Sequence, residues 1–148
     1  MGSDPVASST PRRATVADAR ACAEIVSGWL EATAWLKDVP DLETLVGIFE
    51  TGIPMREIWV IGDPVAAYMS IEAEISLIHG FYTRHPGSGA GKTLMDHAKS
   101  RRDYLQLWTH EPNTPAHRFY HREGFAVVER KPEGRGDGVP ELRMEWHR

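Results

Sequence analysis

The sequence predicts a mixed α/β domain of the α+β kind, a mostly antiparallel central sheet flanked by helices. Three observations predict it. Two early segments carry apolar residues at helical spacing. Three β-rich runs then follow one another with only short turn signals between them, which reads as antiparallel pairing. After that, helices and strands alternate for the rest of the chain. A doubly wound parallel sheet would alternate from the start. The 148 residues fit one domain with a real core.

The elements follow in order. Arg13 to Thr15 is expected as a short first strand, with residues 1–12 a disordered tail and 13–148 the single domain. Thr15-Val16-Ala17-Asp18 has the look of a helix start, an N-cap Thr with an acid three residues on. Cys22, Ile25, Val26, Trp29, Leu30 and Thr33 make one apolar stripe, which places Trp29 in the core. A second stripe, Leu42, Leu45, Val46 and Phe49, is opened by Pro40-Asp41 and stopped by Gly52. Glu57 to Ile61 is a strand, and Gly62-Asp63 turns it into a second strand, Val65 to Glu72. Ile75 to Thr83 is the third. Lys92 to Arg102 reads as a helix with Leu94, Met95 and Ala98 inward. Tyr104 to Thr109 is a strand, and Pro115 to Arg122 a short helix ended by Gly124. Phe125 to Arg130 and Leu142 to Trp146 close the chain as strands, joined by a mobile loop at Gly134-Arg135-Gly136-Asp137-Gly138.

Composition narrows the function classes. A net charge of −4 gives no reason to expect affinity for nucleic acid or membranes. No run of about 18 apolar residues exists for a membrane span. The N-terminal MGSDPVASSTPRR lacks the apolar core of a signal peptide. Cys22 is the single cysteine, so no intrachain disulfide can form, and a reducing cytoplasm is the expected location.

Pro86-Gly87-Ser88-Gly89-Ala90-Gly91-Lys92-Thr93 is the first stretch with chemistry in it. Glycines let the backbone approach a ligand, and the helix that follows offers unpaired N–H groups and the positive end of its dipole. Together they suit a di- or triphosphate. A nucleotide triphosphatase loop and a coenzyme A loop share this physics, so the stretch alone does not choose between them. Gly91, Lys92 and Thr93 fit the end of a Walker A loop, but Pro86 stands where its first Gly belongs. The later strand Tyr104-Leu105-Gln106-Leu107-Trp108 runs into Thr109-His110-Glu111, with no Asp to hold magnesium.

A second motif is more specific. Asn113-Thr114-Pro115-Ala116-His117-Arg118-Phe119-Tyr120-His121-Arg122-Glu123-Gly124-Phe125 matches the pattern N-x-x-A-x-x-F-Y-x-x-x-G-F at every fixed position. With the glycine loop, it resembles the GNAT N-acetyltransferase superfamily. In that superfamily the loop is usually [QR]-x-x-G-x-[GA]. Gly89 and Gly91 match it, and Pro86 replaces the usual Gln or Arg. The resemblance covers roughly residues 13–148.

The resemblance implies a sheet splayed at an acetyl-CoA site and an acetyl transfer to an amine by direct attack. It implies that Phe81, Tyr82 and Thr83 pair with the pantetheine arm, with Gly80 a bulge or close-approach point. Gly87, Ser88, Gly89, Ala90, Gly91 and Lys92 would bind the pyrophosphate. Asn113, Ala116 and Phe119 would contact the cofactor, and Tyr120 would protonate the departing thiolate. The acceptor would be a small-molecule or peptide amine. The resemblance also leaves room for a homodimer. No metal is implied. Two rivals are a module that binds a CoA ester without turnover and a small phosphate-loop NTPase.

Other residues match no fixed position. Glu72 and Glu74 share a face of an extended segment and could serve as base, or be a solvated strand end. His79 is either a site residue or a packed strand histidine. His110 and Glu111 lie near the next strand end, His110 as a substrate contact. Trp35, between the first two helices, either walls the acceptor or caps the core. His117 and His121 lie four apart on a helix, but without the Glu or third ligand of a metal motif they read as surface histidines.

Overall fold

The computed structural model describes residues 10–148. Most of the expected tail, residues 1–9, lies outside the described residues. The order is strand, two helices, three strands, helix, strand, helix, two strands, as the sequence predicts. The helices are α1 (Ala19–Glu31), α2 (Leu42–Gly52), α3 (Ala90–Ser100) and α4 (Thr114–Arg122). The strands are β1 (Arg12–Arg13), β2 (Glu57–Ile61), β3 (Ala67–Glu72), β4 (Leu77–Thr83), β5 (Tyr104–His110), β6 (Ala126–Lys131) and β7 (Glu141–His147).

They form one sheet in the order β1-β2-β3-β4-β5-β7-β6. Every neighbouring pair is antiparallel except β4 and β5. That parallel pair is joined only at Leu77↔Gln106 and Ile78↔Leu107. Beyond Ile78 the two strands separate, and this splay makes the site.

Each face of the sheet buries its own core. Leu94, Met95 and Ala98 of α3 pack with Met69, Ile71, Leu105, Leu107 and Met144 on one face. Cys22, Ile25 and Val26 of α1 and Leu45, Val46 and Phe49 of α2 pack with Ile58, Val60 and Tyr68 on the other. The alternation along β5, with Leu105, Leu107 and Thr109 buried and their neighbours half-exposed, assigns Trp108 and His110 to the α1–α2 side.

Three local expectations shift. The first strand begins at Arg12, not Arg13. Arg12 pairs with Val60, and its guanidinium holds both Asp18 oxygens at 2.8 and 2.9 Å. Asp18 also accepts the Thr15 N–H at 2.8 Å, so the capping box forms and opens a short 3₁₀ turn, Val16–Asp18, before α1. The strand expected from Ile75 starts at Leu77, because Ala73–Ile75 is a 3₁₀ turn closed by Ser76 at φ 53°. Glu74 therefore lies on that turn, not on an extended segment with Glu72. No helix among the described residues is long and apolar enough to cross a membrane.

Candidate functional site

The β4–β5 gap opens into a cleft of about 620 Å³. One wall is the free edge of β4, with Gly80, Phe81, Tyr82 and Thr83 lining it. On its other side β4 remains paired to β3 through Ala67↔Thr83, Tyr68↔Tyr82, Met69↔Phe81 and Ser70↔Gly80. The next step is Ile71↔Ile78, so His79 is an extra residue, a bulge in β4. A Cβ on Gly80 would come within 2.8 Å of the Tyr68 hydroxyl, so a close approach also fixes glycine there.

The glycine loop borders the cleft at the end of β4. Pro86, Gly87, Ser88, Gly89, Gly91 and Lys92 line it. Gly89 is the N-cap of α3 at φ 90°, a conformation that glycine adopts freely, and nothing stands within 4 Å of where its Cβ would be. The N–H groups of Ala90, Gly91 and Lys92 open the first turn of α3, where the helix itself supplies no acceptor. The Ala90 N–H reaches the Ser88 hydroxyl at 3.5 Å, and the Gly91 and Lys92 N–H groups are left as the donors that fit a diphosphate. The Ala90 side chain is turned away and packs on the core instead of the cleft. The Lys92 ammonium is engaged by Asp96 at 3.2 Å and Glu123 at 3.3 Å, and the Thr93 hydroxyl by the Gly89 carbonyl at 3.0 Å. Neither is held ready for a nucleotide phosphate or magnesium.

The opposite wall is α4 with the loop before it. Asn113, Ala116, Phe119 and Tyr120 all line the cleft. The Asn113 side-chain oxygen caps α4 by accepting the Ala116 N–H at 3.4 Å, and its carboxamide N–H groups make no hydrogen bond among the described residues. Tyr120 is buried against Phe81, Phe119 and Phe125. Its hydroxyl makes no hydrogen bond among the described residues. Burial first, and then the neighbouring Tyr82, push its pKa well above the usual phenol value. Tyr82 is pushed up to about 12, by burial first and then by Glu141. Both phenols are protonated at neutral pH.

Glu72 and His79 come together. His79 Nε2 lies 2.8 Å from Glu72 Oε1, across the bulge. Both residues line a second cleft, of about 1070 Å³, between α2 and the ends of β2, β3 and β4. His79 and Gly80 line both clefts, so the two spaces meet at the bulge.

An aromatic chain crosses the α1–α2 side of the gap. Tyr82 lies 5.0 Å from Trp29, Trp29 is 6.0 Å from Trp35, and Trp35 is 5.0 Å from His110, measured between ring centres. Trp29 is thus not a core residue as its stripe suggests, since it is half-buried and lines the cleft. Trp35 reaches His110 but does not itself line the cleft. His110 Nε2 contacts Asp137 at 2.7 Å. Burial alone would raise the Asp137 carboxyl, but the Val139 N–H and His110 outweigh it and hold the group below its ordinary value.

His110, Asp137 and buried Glu141 have ligand atoms within 4.8 Å of one another. Glu141 is already bound by Arg135, through its backbone N–H at 2.8 Å and its guanidinium at 3.2 and 3.3 Å. That cation stands where a metal ion would need an anionic ligand. Among the described residues His117 and His121 join no metal group, and His117 Nε2 sits 3.1 Å from the His110 carbonyl. The loop expected to be mobile is therefore tied down through Arg135 and Asp137. Arg118, Arg122, Arg135 and Glu141 line the cleft as well. No motif marks these four, and only the helical spacing of Arg118 and Arg122 could have drawn attention.

The comparisons agree with this geometry. Residues 56–125 match the acetyltransferase (GNAT) family model. No protein in the curated set matches by sequence. Among solved structures, apo YjaB from Escherichia coli is 22% identical with a TM-score of 0.74, over 93% of this chain and 96% of that one. The putative acetyltransferase yncA from Salmonella typhimurium, solved with its cofactor acetyl-CoA, is 21% identical with a TM-score of 0.68, over 93% and 92%. PaiA N-acetyltransferase from Thermoplasma acidophilum, in complex with coenzyme A, is 17% identical with a TM-score of 0.71, over 94% and 98%. Residues 56–125 of this chain thus match the acetyltransferase (GNAT) family model, and its splayed seven-stranded sheet is the fold of these solved structures.

Proposed function

We propose that the chain transfers an acetyl group from acetyl-CoA to an amine by direct attack, with both substrates bound. The observation that carries this reading is the β4–β5 gap, with a free strand edge, a donor-lined glycine loop and the Tyr120 phenol around one cleft. Two solved structures of this fold hold acetyl-CoA or coenzyme A, which supports the choice of donor.

When bound, acetyl-CoA supplies a thioester activated toward amines. The edge of β4 from Gly80 to Thr83 takes the arm of the donor as an added strand. Its backbone N–H groups near the bulge polarise the reacting carbonyl. The N–H groups of Gly87, Gly89, Gly91 and Lys92 hold the pyrophosphate. Those of Ser88 and Ala90 are engaged within the loop by the His85 carbonyl and the Ser88 hydroxyl. Asn113, Ala116 and Phe119 hold the arm from the other wall. Tyr120 donates a hydrogen bond to the sulfur as charge builds on it. Its raised pKa keeps the phenol protonated at neutral pH, as a hydrogen-bond donor to sulfur must be.

The acceptor comes through the second cleft and meets the donor at His79–Gly80. His79, held by Glu72, takes the proton from the amine, and the carboxylate stabilises the imidazolium that results. His110 lines the donor cleft instead, with Trp35 packed behind it, so neither borders the acceptor's path. The experiment is acetyl transfer from acetyl-CoA to a panel of primary amines and N-terminal peptides, followed by thiol release. Acetylated product supports the reading. Acetyl-CoA binding with no product from any acceptor class favours a binding module without turnover.

A further inference from the structure

We propose that Arg118 and Arg122 clamp the 3′-phosphate of coenzyme A, so that the chain selects a free CoA thioester over a phosphopantetheine thioester on a carrier protein. The proposal rests on the acetyl-CoA reading above. Pro115, Arg118, Phe119 and Arg122 recur at three- and four-residue steps and all line the cofactor cleft, so one face of α4 is turned to it. Arg118 and Arg122 are exposed, and neither makes a hydrogen bond or ion pair among the described residues.

Their separation of four residues puts two like charges side by side, which weakens a helix. Arg122 has a compensating reason to be there, since a cation suits the last turn of a helix. Arg118, one turn earlier, has none. An anion between them removes the repulsion.

The other cleft cations are committed, Lys92 to Asp96 and Glu123, and Arg135 to Glu141. At Pro86 the loop has neither a backbone N–H nor a side-chain donor, so its grip on phosphate is through the following backbone alone. The loop on one wall suits the diphosphate. The arginine pair on the facing wall suits a second phosphate, and coenzyme A carries one on its ribose. A phosphopantetheine arm carries none.

The test is calorimetric binding of three probes: acetyl-CoA, acetyl-3′-dephospho-CoA and S-acetyl-4′-phosphopantetheine. The wild-type chain should bind acetyl-CoA about tenfold more tightly than the dephospho form, the scale of one charge-assisted hydrogen bond. Rising salt should narrow that gap. In Arg118→Gln/Arg122→Gln the two should bind nearly equally, with the affinity for the dephospho form unchanged from wild type. Circular dichroism shows that this exposed double variant is folded. Equal wild-type binding of the two forms overturns the clamp alone, as does a double variant that keeps the full preference. A wild-type chain that binds no acetyl-CoA overturns the functional reading and this proposal with it.

Discussion

His79, the extra residue of the β4 bulge, holds Glu72 at 2.8 Å where the two clefts meet. A histidine oriented by a carboxylate at that junction is placed to take a proton from an incoming amine. His79→Asn and Glu72→Gln should each lower kcat by roughly a hundredfold or more at neutral pH, the range of a lost general base. Acetyl-CoA affinity should stay unchanged in calorimetry. Loss of cofactor affinity, or an unchanged kcat in both variants, would remove the pair from the base role.

Tyr120→Phe deletes a hydroxyl that has no hydrogen-bond partner among the described residues, on a ring that is buried beside the cleft. The fold should therefore tolerate it, with the melting temperature close to wild type. Turnover should drop on the order of a hundredfold while acetyl-CoA binds as before. Unchanged turnover would exclude the tyrosine as hydrogen-bond donor to the leaving sulfur.

Gly89 sits at φ 90° with open space around its Cβ position, the space assigned here to phosphate. Gly89→Val should cost about 1–2 kcal/mol of stability through backbone strain and abolish acetyl-CoA binding. A folded Gly89→Val protein that binds acetyl-CoA tightly would contradict the assigned cradle.

Asp18 ties β1 to the turn before α1 through Arg12, and Glu57 ties β2 to the segment after α3 through Arg102. The Asp18 carboxyl is held below its ordinary value by its hydrogen bonds from Arg12, working against burial. Burial would raise Glu57, but Arg102 and the Trp59 N–H lower it overall. A carboxylate depressed in the folded state stabilises fully above the unfolded value, near 4. That stability is lost as pH falls through the folded value. The half-buried His97, held below its ordinary value by burial, should make urea midpoints start to fall below about pH 6.5, and the carboxylates should make them fall further toward about pH 3. Asp18→Asn should start from a lower midpoint and fall less steeply. An equal fall in wild type and variant would contradict the linkage.

Burial raises the Cys22 thiol to about 12, with Asp18 adding to the shift. The folded chain should resist a thiol reagent at neutral pH and react promptly in denaturant. Rapid labelling of the native protein would show that α1 opens readily.

Much of this architecture was legible in the chain. Leu94, Met95 and Ala98 point inward as their spacing says, and the loop and the Asn113–Phe125 motif flank one cleft. What local pattern could not give is tertiary. Trp29 has a core residue's spacing, yet the splay leaves its ring on the cleft beside Tyr82. Glu74 looked paired with Glu72 until Ser76, in the left-handed region, closed a 3₁₀ turn between them and β4. Glu141 was invisible as a site residue because its meaning depends on Arg135 and His110 arriving from other segments. Ala90 shows the reverse case, a loop position whose side chain belongs to the core.

Calorimetric titration of the purified chain with acetyl-CoA, beside coenzyme A and Mg-ATP, tests the central claim most directly. Micromolar binding of acetyl-CoA and coenzyme A with no response to ATP is the predicted result. Binding of Mg-ATP without acetyl-CoA would contradict it and return the glycine loop to nucleotide chemistry.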